Sequence, residues 1–301
     1  MTTAPQAPAA LGGVSVVMVV FRTGPALSES LSRALAEPRV AELIVVDNGS
    51  TPDEAAVIEA ARAAHGGRLK LIRGQGNVGF ARAANLGARA ASGAELIFLN
   101  PDAFLEPGCV EALQAPLTDG PLPVLVGARV MEADGREQRG ARRGDFTLMA
   151  TMLNLGGLAR LGPLRRFELH HERDPVPAGP TPTPTVSGAC FAMRRADFLA
   201  LGGFDEGYFL HVEDIDLCWR VRRAGGVVLF QPGARVGHLK STSAKAAILV
   251  EYWKGRGLVR FFRKRAETPL AQAAALALSP VILLAAVARP LLAGRLLAPP
   301  R

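Results

Sequence analysis

Residues 14–21 read VSVVMVVF, a run of strand length without a charged side chain, and this run decides the class of the fold. Such a run predicts a strand buried on both faces, which is typical of a parallel sheet. Helices and strands are then predicted to alternate: helix 28–35, strand 42–46, helix 52–64, strand 69–73, helix 81–91 and strand 95–99. This alternation predicts an α/β fold with a doubly wound, mostly parallel sheet.

The regular alternation weakens after Gly108. We predict strands at 124–131, 186–194 and 227–230, a helix within 209–224, and a turn at 231–233 that follows the last of these strands. Residues 141–185 carry no clear period, and the proline-rich stretch 175–185 is typical of a loop.

Composition and charge narrow the possible functions. The 301 residues are 49% hydrophobic and 21% charged, values of an ordinary globular chain that exclude collagen, a coiled coil or a disordered chain. The net charge of +8 lies entirely in residues 252–301, which hold nine basic residues and one acid. The first 251 residues are therefore neutral overall, and a nucleic-acid partner is not expected.

The cysteines and the first residues bear on the compartment. Cys109, Cys190 and Cys218 are too few and too scattered for a disulfide framework or a cysteine-rich zinc site. Residues 1–11 lack the basic start and apolar core of a secretory signal. We therefore expect a reducing, cytosolic compartment.

Residues 268–288 (TPLAQAAALALSPVILLAAVA) form an uncharged segment near the end of the chain. A helix of this length would be about 30 Å long, enough to cross a bilayer core. Basic residues lie on both sides of it, which favours a helix in the membrane interface over a spanning one. A true span and a soluble core helix remain as alternatives.

Two aspartates follow predicted strands, Asp47 after the second and Asp102 after the fourth. Ligands of open α/β sheets bind beyond the carboxyl ends of the strands, so both carboxylates are expected to line one cleft. Each also lies in a sequence that favours a turn, so a purely structural role is the alternative for either one.

The sequence Gly74-Gln75-Gly76-Asn77-Val78-Gly79 matches the G-x-G-x-x-G dinucleotide pattern. In dinucleotide-binding domains the pattern normally follows the first strand, whereas here it follows the third. An NAD(P)-dependent oxidoreductase that uses Gly74, Gly76 and Gly79 is therefore kept as the alternative function.

Three acids, Glu213, Asp214 and Asp216, open a predicted helix whose other end carries arginines. Acids first and bases last complement the helix dipole, which would explain the pattern without any function. The aromatic residues Tyr208 and Phe209 lead directly into the acids. A partly desolvated carboxylate in that position is also a plausible general base.

Five motifs occur in a fixed order along the chain: Val45-Val46-Asp47-Asn48-Gly49-Ser50, Asn77-Val78-Gly79-Phe80 with Asn85, Leu99-Asn100-Pro101-Asp102, Ser187-Gly188-Ala189, and Gly203-Phe204-Asp205-Glu206 with residues 213–220 and His238. Over residues 14–265 this order resembles family 2 glycosyltransferases of the GT-A fold, most closely the rhamnosyltransferase-like subgroup. The resemblance implies a doubly wound mixed sheet with a Rossmann-like nucleotide half, an acceptor half and, in this chain, an apolar helical tail.

The resemblance also implies the site. A nucleotide-sugar donor would be bound by Phe21, Asp47, Asn48, Asn77, Gly79, Asn85 and Asn100. Asp102 and His238 would hold Mg²⁺ or Mn²⁺, which prefer hard oxygen ligands and here would bridge the diphosphate. Asp214 is the expected catalytic base, with Glu213 as the less favoured candidate, and transfer would proceed with inversion. Arg22 stands where relatives usually have an asparagine beside the nucleobase.

The expected organisation follows from these assignments. Residues 1–13 would be a disordered start, 14–108 the nucleotide-sugar half, 109–266 the acceptor half, and 267–301 a membrane-associating tail. The enzyme would act on a cell-surface polysaccharide or a lipid-linked glycan, from the cytoplasmic face of the membrane. A non-catalytic membrane-associated binding protein, in which the acids are structural, is a third hypothesis.

Overall fold

The structure is a computed structural model that describes residues 13–117, 120–239 and 247–292. The disordered start predicted for residues 1–13 lies outside the described residues except for Gly13, and so does the end of the tail after Leu292.

The first half of the chain alternates between strands and helices, as predicted. Its elements are β1 (Val14–Val20), α1 (Ala26–Ala36), β2 (Val40–Asp47), α2 (Pro52–His65), β3 (Leu69–Ile72), α3 (Phe80–Ala90) and β4 (Glu95–Leu99). Helix α2 begins with a capping box, in which Thr51 and Glu54 each bond the other's backbone N–H.

The second half contains more elements than the sequence indicates. They are β5 (Ala103–Leu105), α4 (Cys109–Gln114), β6 (Val124–Met131), β7 (Arg142–Arg143), α5 (Leu148–Leu155), β8 (Thr181–Pro182), β9 (Thr185–Val186), β10 (Cys190–Arg194), α6 (Arg195–Ala200), α7 (Glu213–Arg223), β11 (Val227–His238), α8 (Ala247–Arg265) and α9 (Pro269–Leu292). Helix α5 and two 3₁₀ turns, Leu158–Arg160 and Gly162–Phe167, lie in the stretch predicted to be irregular.

The strand predicted over 227–230 is confirmed, but the turn predicted at 231–233 is wrong. Strand β11 continues to His238, and its pairing with β6 shifts register between Gln231 and Arg235. Pro232 and Gly233 lie in this bulge, where proline does not have to donate a ladder hydrogen bond. The longer strand matters because it carries His238 to the edge of the sheet.

One mixed sheet organises the whole fold, with strand order β3-β2-β1-β4-β10-β6-β11-β5. Strands β3, β2, β1 and β4 are parallel, and β10 runs antiparallel to β4 and β6. The carboxyl ends of β1, β2 and β4 and the start of β10 therefore lie at one edge of the sheet. The polar motifs follow or precede the strands at this edge.

Strand β1 is buried on both faces, as its sequence predicts. Val17 and Val19 pack in one apolar cluster with residues of α3, α7 and α8, whereas Val16 and Met18 pack in a second cluster with residues of α1, α2 and α4. The sheet is thus covered by helices on both sides.

Helix α9 packs along α8 and so against the rest of the protein. Gly255 of α8 lies against Ala286 of α9, and Ala275 and Ile282 of α9 are buried in the larger apolar cluster. The opposite face of α9 is exposed, with Leu270 at 82% and Leu284 at 71% of full exposure.

The apolar segment passes the length and composition test for a membrane helix. Residues Pro269–Ala288 have a mean hydropathy of 2.1, with 17% of them buried, and no other helix within the described residues passes the same test.

Candidate functional site

The end of β2 is shaped by the Asp47 side chain. Its Oδ1 accepts hydrogen bonds from the backbone N–H groups of Gly49 (3.0 Å) and Ser50 (2.8 Å). The structural turn considered for Asp47 therefore exists. Both bonds from the described residues engage Oδ1, so Oδ2 is the oxygen available to a ligand.

Asn48 joins the end of β2 to the loop before α3 by hydrogen bonds. Its side chain is buried, with Nδ2 donating to Asn77 Oδ1 (3.0 Å) and Oδ1 accepting from the N–H of Val78 (3.1 Å). Asn77 Oδ1 also accepts from the Gly79 N–H at 3.2 Å. The side-chain amides of Asn48 and Asn77 therefore hold each other and the loop in place.

Gly79 is required by packing. Its φ is +85°, and a Cβ at this position would lie 2.7 Å from the carbonyl oxygen of Phe209. That carbonyl accepts a hydrogen bond from the N–H of Phe80 at 2.8 Å. Gly74 and Gly76 also have positive φ, and nothing lies within 4 Å of a Cβ at either. The three glycines thus serve turns and packing, and nothing in this loop favours the oxidoreductase alternative.

Asn85 holds the loop that precedes the acids. Its amide donates to the Phe204 carbonyl (2.8 Å) and to Glu206 Oε1 (3.2 Å), and its Oδ1 accepts from the Phe204 N–H (2.8 Å). Asn85 is predicted to bind the donor, and in this structure its amide bonds the loop that contains Phe204 and Glu206. Phe21 follows β1, and its ring lies over the 47–50 turn, 3.2 Å from where a Cβ on Gly49 would be.

Asp102 and His238 lie side by side. Asp102 Oδ1 is 3.1 Å from His238 Nε2, and the amide nitrogen of Asn100 is 3.4 Å from the same ring nitrogen. Both titratable side chains are about nine-tenths buried. The structure therefore brings together the two residues that the resemblance names as metal ligands.

Gln138 determines which nitrogen of His238 carries hydrogen. Its Nε2 donates to the His238 carbonyl (3.3 Å), so its Oε1 must be the atom 2.8 Å from His238 Nδ1. That oxygen accepts from Nδ1–H, and in a neutral ring Nε2 then presents its lone pair toward Asp102. A nitrogen lone pair and a carboxylate oxygen that face each other repel unless a cation or a proton lies between them. Asp102 and His238 therefore fit a metal ion.

Protein ligands for such an ion are few. No group of three or more His, Cys, Asp and Glu side chains that could hold a metal ion occurs within residues 13–117, 120–239 and 247–292. Asp102 and His238 therefore offer two side-chain ligands, and the other ligands of an ion would have to come from water or a bound molecule, as is common for Mg²⁺.

The acids at the start of α7 follow a strained turn. His211 and Val212 have φ of +65° and +75°, which is unusual for residues with a Cβ and costly for a branched side chain. Gly257 of α8 packs against Val212, and a Cβ there would lie 2.8 Å from Val212 Cγ2. The position of α8 against this turn therefore helps to fix the direction in which α7 begins.

Glu213 and Asp214 have opposite electrostatic environments. Burial and the neighbouring Asp214 charge raise the pKa of Glu213 to about 8, and its Oε2 has no hydrogen-bond partner among the described residues. Burial also acts to raise the pKa of Asp214, but the Arg143 guanidinium 2.5 Å away outweighs it and holds that pKa below its usual value. Glu213 is therefore neutral and Asp214 ionised at neutral pH.

A short loop joins the acids to the metal motif. The N–H of Gly188 donates to Asp214 Oδ2 (3.1 Å), and the carbonyl of Ala189 accepts from the N–H of Asn100 (2.9 Å). Gly188 packs closely on Asp214, because a Cβ there would lie 3.1 Å from that of Asp214. Adjacent residues of one loop thus bond Asp214 and Asn100 at the same edge of the sheet.

Asp216 is structural. It is completely buried, accepts from Arg220 Nε at 2.7 Å and is paired with Lys264, while the Tyr208 hydroxyl donates to it at 3.2 Å. The structural alternative raised for the three acids holds for this one.

Sequence reasoning missed Arg143 and Gln138. Both lie between β6 and α5, in or beside the stretch predicted to be irregular. The adjacent arginines Arg142 and Arg143 were the available signal, because a buried carboxylate elsewhere in the fold requires a cation. No pattern of residues pointed to Gln138.

The chain matches the family model described as "Glycosyl transferase family 2" over residues 15–202. It is 31% identical over 245 residues to N-acetylglucosaminyl-diphospho-decaprenol L-rhamnosyltransferase of Mycobacterium tuberculosis, an alignment that covers 76% of each chain. It is 27% identical over 184 residues to polypeptide N-acetylgalactosaminyltransferase 11 of Xenopus tropicalis, covering 57% of this chain and 28% of that protein.

Solved structures show the same fold. GalNAc-T7 with UDP, GalNAc and Mn²⁺ superposes with a TM-score of 0.60 at 20% identity, over 87% of this chain and 51% of that one. The mannosyltransferase PcManGT of Pyrobaculum calidifontis with GDP-Man and Mn²⁺ gives 0.58 at 18% identity, over 93% of this chain and 74% of that one. The predicted GT-A architecture is confirmed, and none of these comparisons favours the oxidoreductase alternative.

Glu213→Gln should remove a pH dependence of stability. Glu213 is protonated in the folded protein up to about pH 8, whereas in the unfolded chain it ionises near its ordinary pKa of 4.5. The folded state therefore binds more protons in this interval, and the free energy of unfolding should fall as pH rises from about 5 to 8. Asp214 is ionised in both states there and adds no slope.

Urea unfolding of the wild type and of Glu213→Gln at several pH values checks this. The amide of the variant stays neutral, so its free energy of unfolding should depend less on pH than that of the wild type. Relative to the wild type, the variant should gain stability toward pH 8. Parallel profiles would show that Glu213 ionises normally. Glu106→Gln, a change at a more exposed glutamate, serves as the control.

Proposed function

The chain belongs to glycosyl transferase family 2, and we propose that it is an inverting, metal-dependent transferase that moves a sugar from a nucleotide-diphosphate donor to a hydroxyl group of a lipid-linked glycan. The rhamnosyltransferase relative supports rhamnose as the sugar and a lipid diphosphate-linked acceptor, because the two chains align over three-quarters of both lengths. The proposed boundaries are the donor half 14–108, the acceptor half 109–266 and the tail from 267.

One observation supports the proposal: neighbouring residues of one loop bond Asp214 and Asn100, and Asn100 belongs to the motif that contains Asp102. Gly188 bonds Asp214 and Ala189 bonds Asn100, which stands two residues before Asp102. A donor diphosphate at Asp102 and His238 would therefore place its sugar on the side of the site where Asp214 lies.

The donor would lie across the ends of β1, β2 and β4. We assign direct contact to Phe21, to Asp47 through Oδ2, and to Asn100. Asn48, Asn77, Gly79 and Asn85 would shape the loops around the donor, because their polar groups bond the protein itself.

The proposed chemistry uses few groups. A divalent ion held by Asp102 and His238 would neutralise charge on the departing nucleoside diphosphate, with Mg²⁺ and Mn²⁺ both compatible with these ligands. Asp214 would accept the proton of the acceptor hydroxyl as the oxygen attacks the anomeric carbon from the side opposite the leaving group, which inverts that centre. The hydroxyl becomes more acidic as the new bond forms, so a weakly basic carboxylate suffices.

The contacts of Arg143 and the burial of Glu213 both favour Asp214 as the base. Arg143 holds Asp214 ionised and also donates to the Val186 carbonyl (2.8 Å), which fixes the guanidinium. Glu213 is the less suitable base because its Oε2 is buried and its carboxyl is protonated at neutral pH, whereas the Asp214 side chain is 15% exposed.

We further propose that the protein is cytoplasmic and binds the inner face of the membrane through α9. Its apolar outer face is exposed, and its inner face packs on the charged helix α8. A helix that lies along a charged helix of the body is better suited to the interface than to a span. The three buried, free cysteines agree with a reducing compartment.

Asp102→Ala should abolish Mn²⁺-dependent binding of UDP or dTDP. Both nucleotides should raise the melting temperature of the wild type only with Mn²⁺, since a ligand that binds the folded state stabilises it. His238→Ala should weaken the effect less, because water can replace one ligand of the ion. Thermal shift measures both.

Two results would contradict this assignment. An unchanged shift in Asp102→Ala would remove Asp102 from the donor site. Stabilisation by NAD(P)H and not by UDP or dTDP would favour the oxidoreductase alternative, and stabilisation by neither would favour a non-catalytic binding protein.

Asp214→Asn should lower turnover by roughly 10²–10⁴-fold, the usual contribution of a general base, because the amide keeps the shape but cannot accept the proton. Nucleotide affinity should stay near that of the wild type, since the base faces the acceptor. Release of nucleoside diphosphate from sugar nucleotides in the presence of membrane extract measures turnover. Asp197→Asn, at a comparably buried carboxylate paired with Arg194, is the control. Near-normal turnover would move the role to Glu213.

Replacing Leu270, Leu276 and Leu284 by glutamine should reduce sedimentation of the full chain with phospholipid vesicles. These side chains project from the exposed face of α9, so the packing on α8 is retained. Truncation after Ala266 is a poorer test, because it would uncover the α8 surface that α9 covers. Unchanged sedimentation would show that α9 is not a membrane contact, and a wild type that stays in the supernatant at low salt would show the same.

A further inference from the structure

A second exposed apolar region lies at residues 148–167, which comprise α5 and the two 3₁₀ turns that follow it. We call it the 148–167 surface. Its exposed apolar side chains are Met149 at 60%, Leu158 at 46% and Leu161 at 58% of full exposure. Exposed apolar side chains that form one patch commonly mark an interaction site.

The same surface carries positive charge without acids to balance it. Residues 148–167 include Arg160, Arg165 and Arg166 and no Asp or Glu. All three arginines are exposed, and none forms an ion pair with a described residue; Arg166 packs its guanidinium over the Phe167 ring at 4.9 Å. Two exposed arginines on other helices differ in this respect: Arg33 of α1 is paired with Glu29, and Arg62 of α2 is paired with Glu59.

The 148–167 surface adjoins the proposed membrane helix. Helix α5 packs against α9, and Ala150 of α5 and Ala275 of α9 belong to one buried cluster. The exposed apolar side chains of both elements therefore belong to neighbouring parts of the molecule.

Ion pairs just before α5 also fix the 148–167 surface relative to the acids at the start of α7. Asp145, just before α5, is paired with Arg222 of α7 (2.7 Å) and Arg265 of α8 (2.5 Å). Two residues earlier, Arg143 is paired with Asp214. Whatever binds the 148–167 surface is thereby set at a fixed position relative to Asp214.

We propose that the 148–167 surface is a second membrane contact of this protein and binds an anionic bilayer surface beside α9. Apolar side chains that enter the interface, flanked by arginines that reach lipid phosphates, are the arrangement that such a surface recognises. Arginine also suits this position because its stem can lie along apolar surface while its head remains at the phosphates.

A lipid surface explains the residues better than a nucleic acid does. Nucleic-acid affinity comes mainly from contacts of cations with phosphates, to which the exposed aliphatic side chains of this surface would contribute little. The inference rests on the proposed function. Two neighbouring contacts, α9 and the 148–167 surface, would fix the orientation of the site over the membrane that carries the acceptor.

The test compares full-length variants by sedimentation with two kinds of vesicle, phosphatidylcholine alone and phosphatidylcholine with phosphatidylglycerol. Replacing Arg160, Arg165 and Arg166 together by glutamine should weaken partition onto the anionic vesicles on the order of a hundredfold, since each arginine near such a surface contributes about fivefold. Partition onto phosphatidylcholine should stay unchanged.

Two further variants complete the set. Replacing Met149, Leu158 and Leu161 by serine should weaken partition onto both kinds of vesicle. The control replaces Arg33, Arg62 and Arg136 by glutamine, which changes the net charge equally at exposed sites elsewhere and should have little effect. All replaced side chains are exposed, so melting temperatures should match that of the wild type.

The proposal is overturned if the control lowers anionic partition as much as the 148–167 arginine variant, or if neither 148–167 variant changes it. Failure of the proposed function is a separate result, because it would appear as a wild type that UDP or dTDP with Mn²⁺ does not stabilise, whatever the vesicles show. A wild type that binds no vesicle would overturn both membrane proposals and leave the nucleotide result unaffected.

Discussion

The charge of Asp214 is the constraint on which much of this structure depends. A carboxylate in so buried a position must be compensated, because an unpaired buried charge costs several kcal/mol or becomes protonated. Arg143 supplies the compensation, and the backbone N–H groups of Gly188 and Ile215 complete it. These contacts draw three separate parts of the chain to one point: the stretch after β6, the loop before β10 and the start of α7. Asn100, which belongs to the motif that contains Asp102, also bonds the loop before β10.

Helix α8 gives the second half of the site its rigidity. Arg260 and Lys264 bind Asp205; although burial acts to raise the pKa of that carboxyl, these cations hold it at about 2. Phe209 stacks on Trp253 with ring centroids 4.5 Å apart, and the Phe209 backbone supports Gly79 and Phe80 of the donor half. The loop between residues 205 and 212 thus lies between α8 and both halves of the site. Helix α9 packs along α8, so a membrane contact of α9 would connect through α8 to this loop.

The sequence was most informative where local pattern alone determines structure. The alternation from β1 to β4 could be predicted because each buried parallel strand and each helix has its own period, and Asp47 and Asp102 could be placed because strand ends meet at one edge. The length of β11 could not be predicted, since Pro232 and Gly233 indicate a turn unless the partner strand β6 is known. Arg143 and Gln138 were missed for a related reason: each acts through a residue far away in sequence, Asp214 or His238. Asn85 was assigned to the donor from resemblance, and only its contacts with Phe204 and Glu206 showed what its amide binds.

We propose that Asp102, His238 and Asp214 form one transfer site around a metal-bound diphosphate. A crystal structure of the full chain with Mn²⁺ and dTDP or UDP tests it most directly, because anomalous scattering locates manganese without assumption. The account predicts one manganese peak between Asp102 Oδ1 and His238 Nε2, in contact with the diphosphate, and an open space between the diphosphate and Asp214 that can hold a sugar. A bound nucleotide with no manganese at this position, and with the direct contact of 3.1 Å between His238 and Asp102 kept, would contradict it.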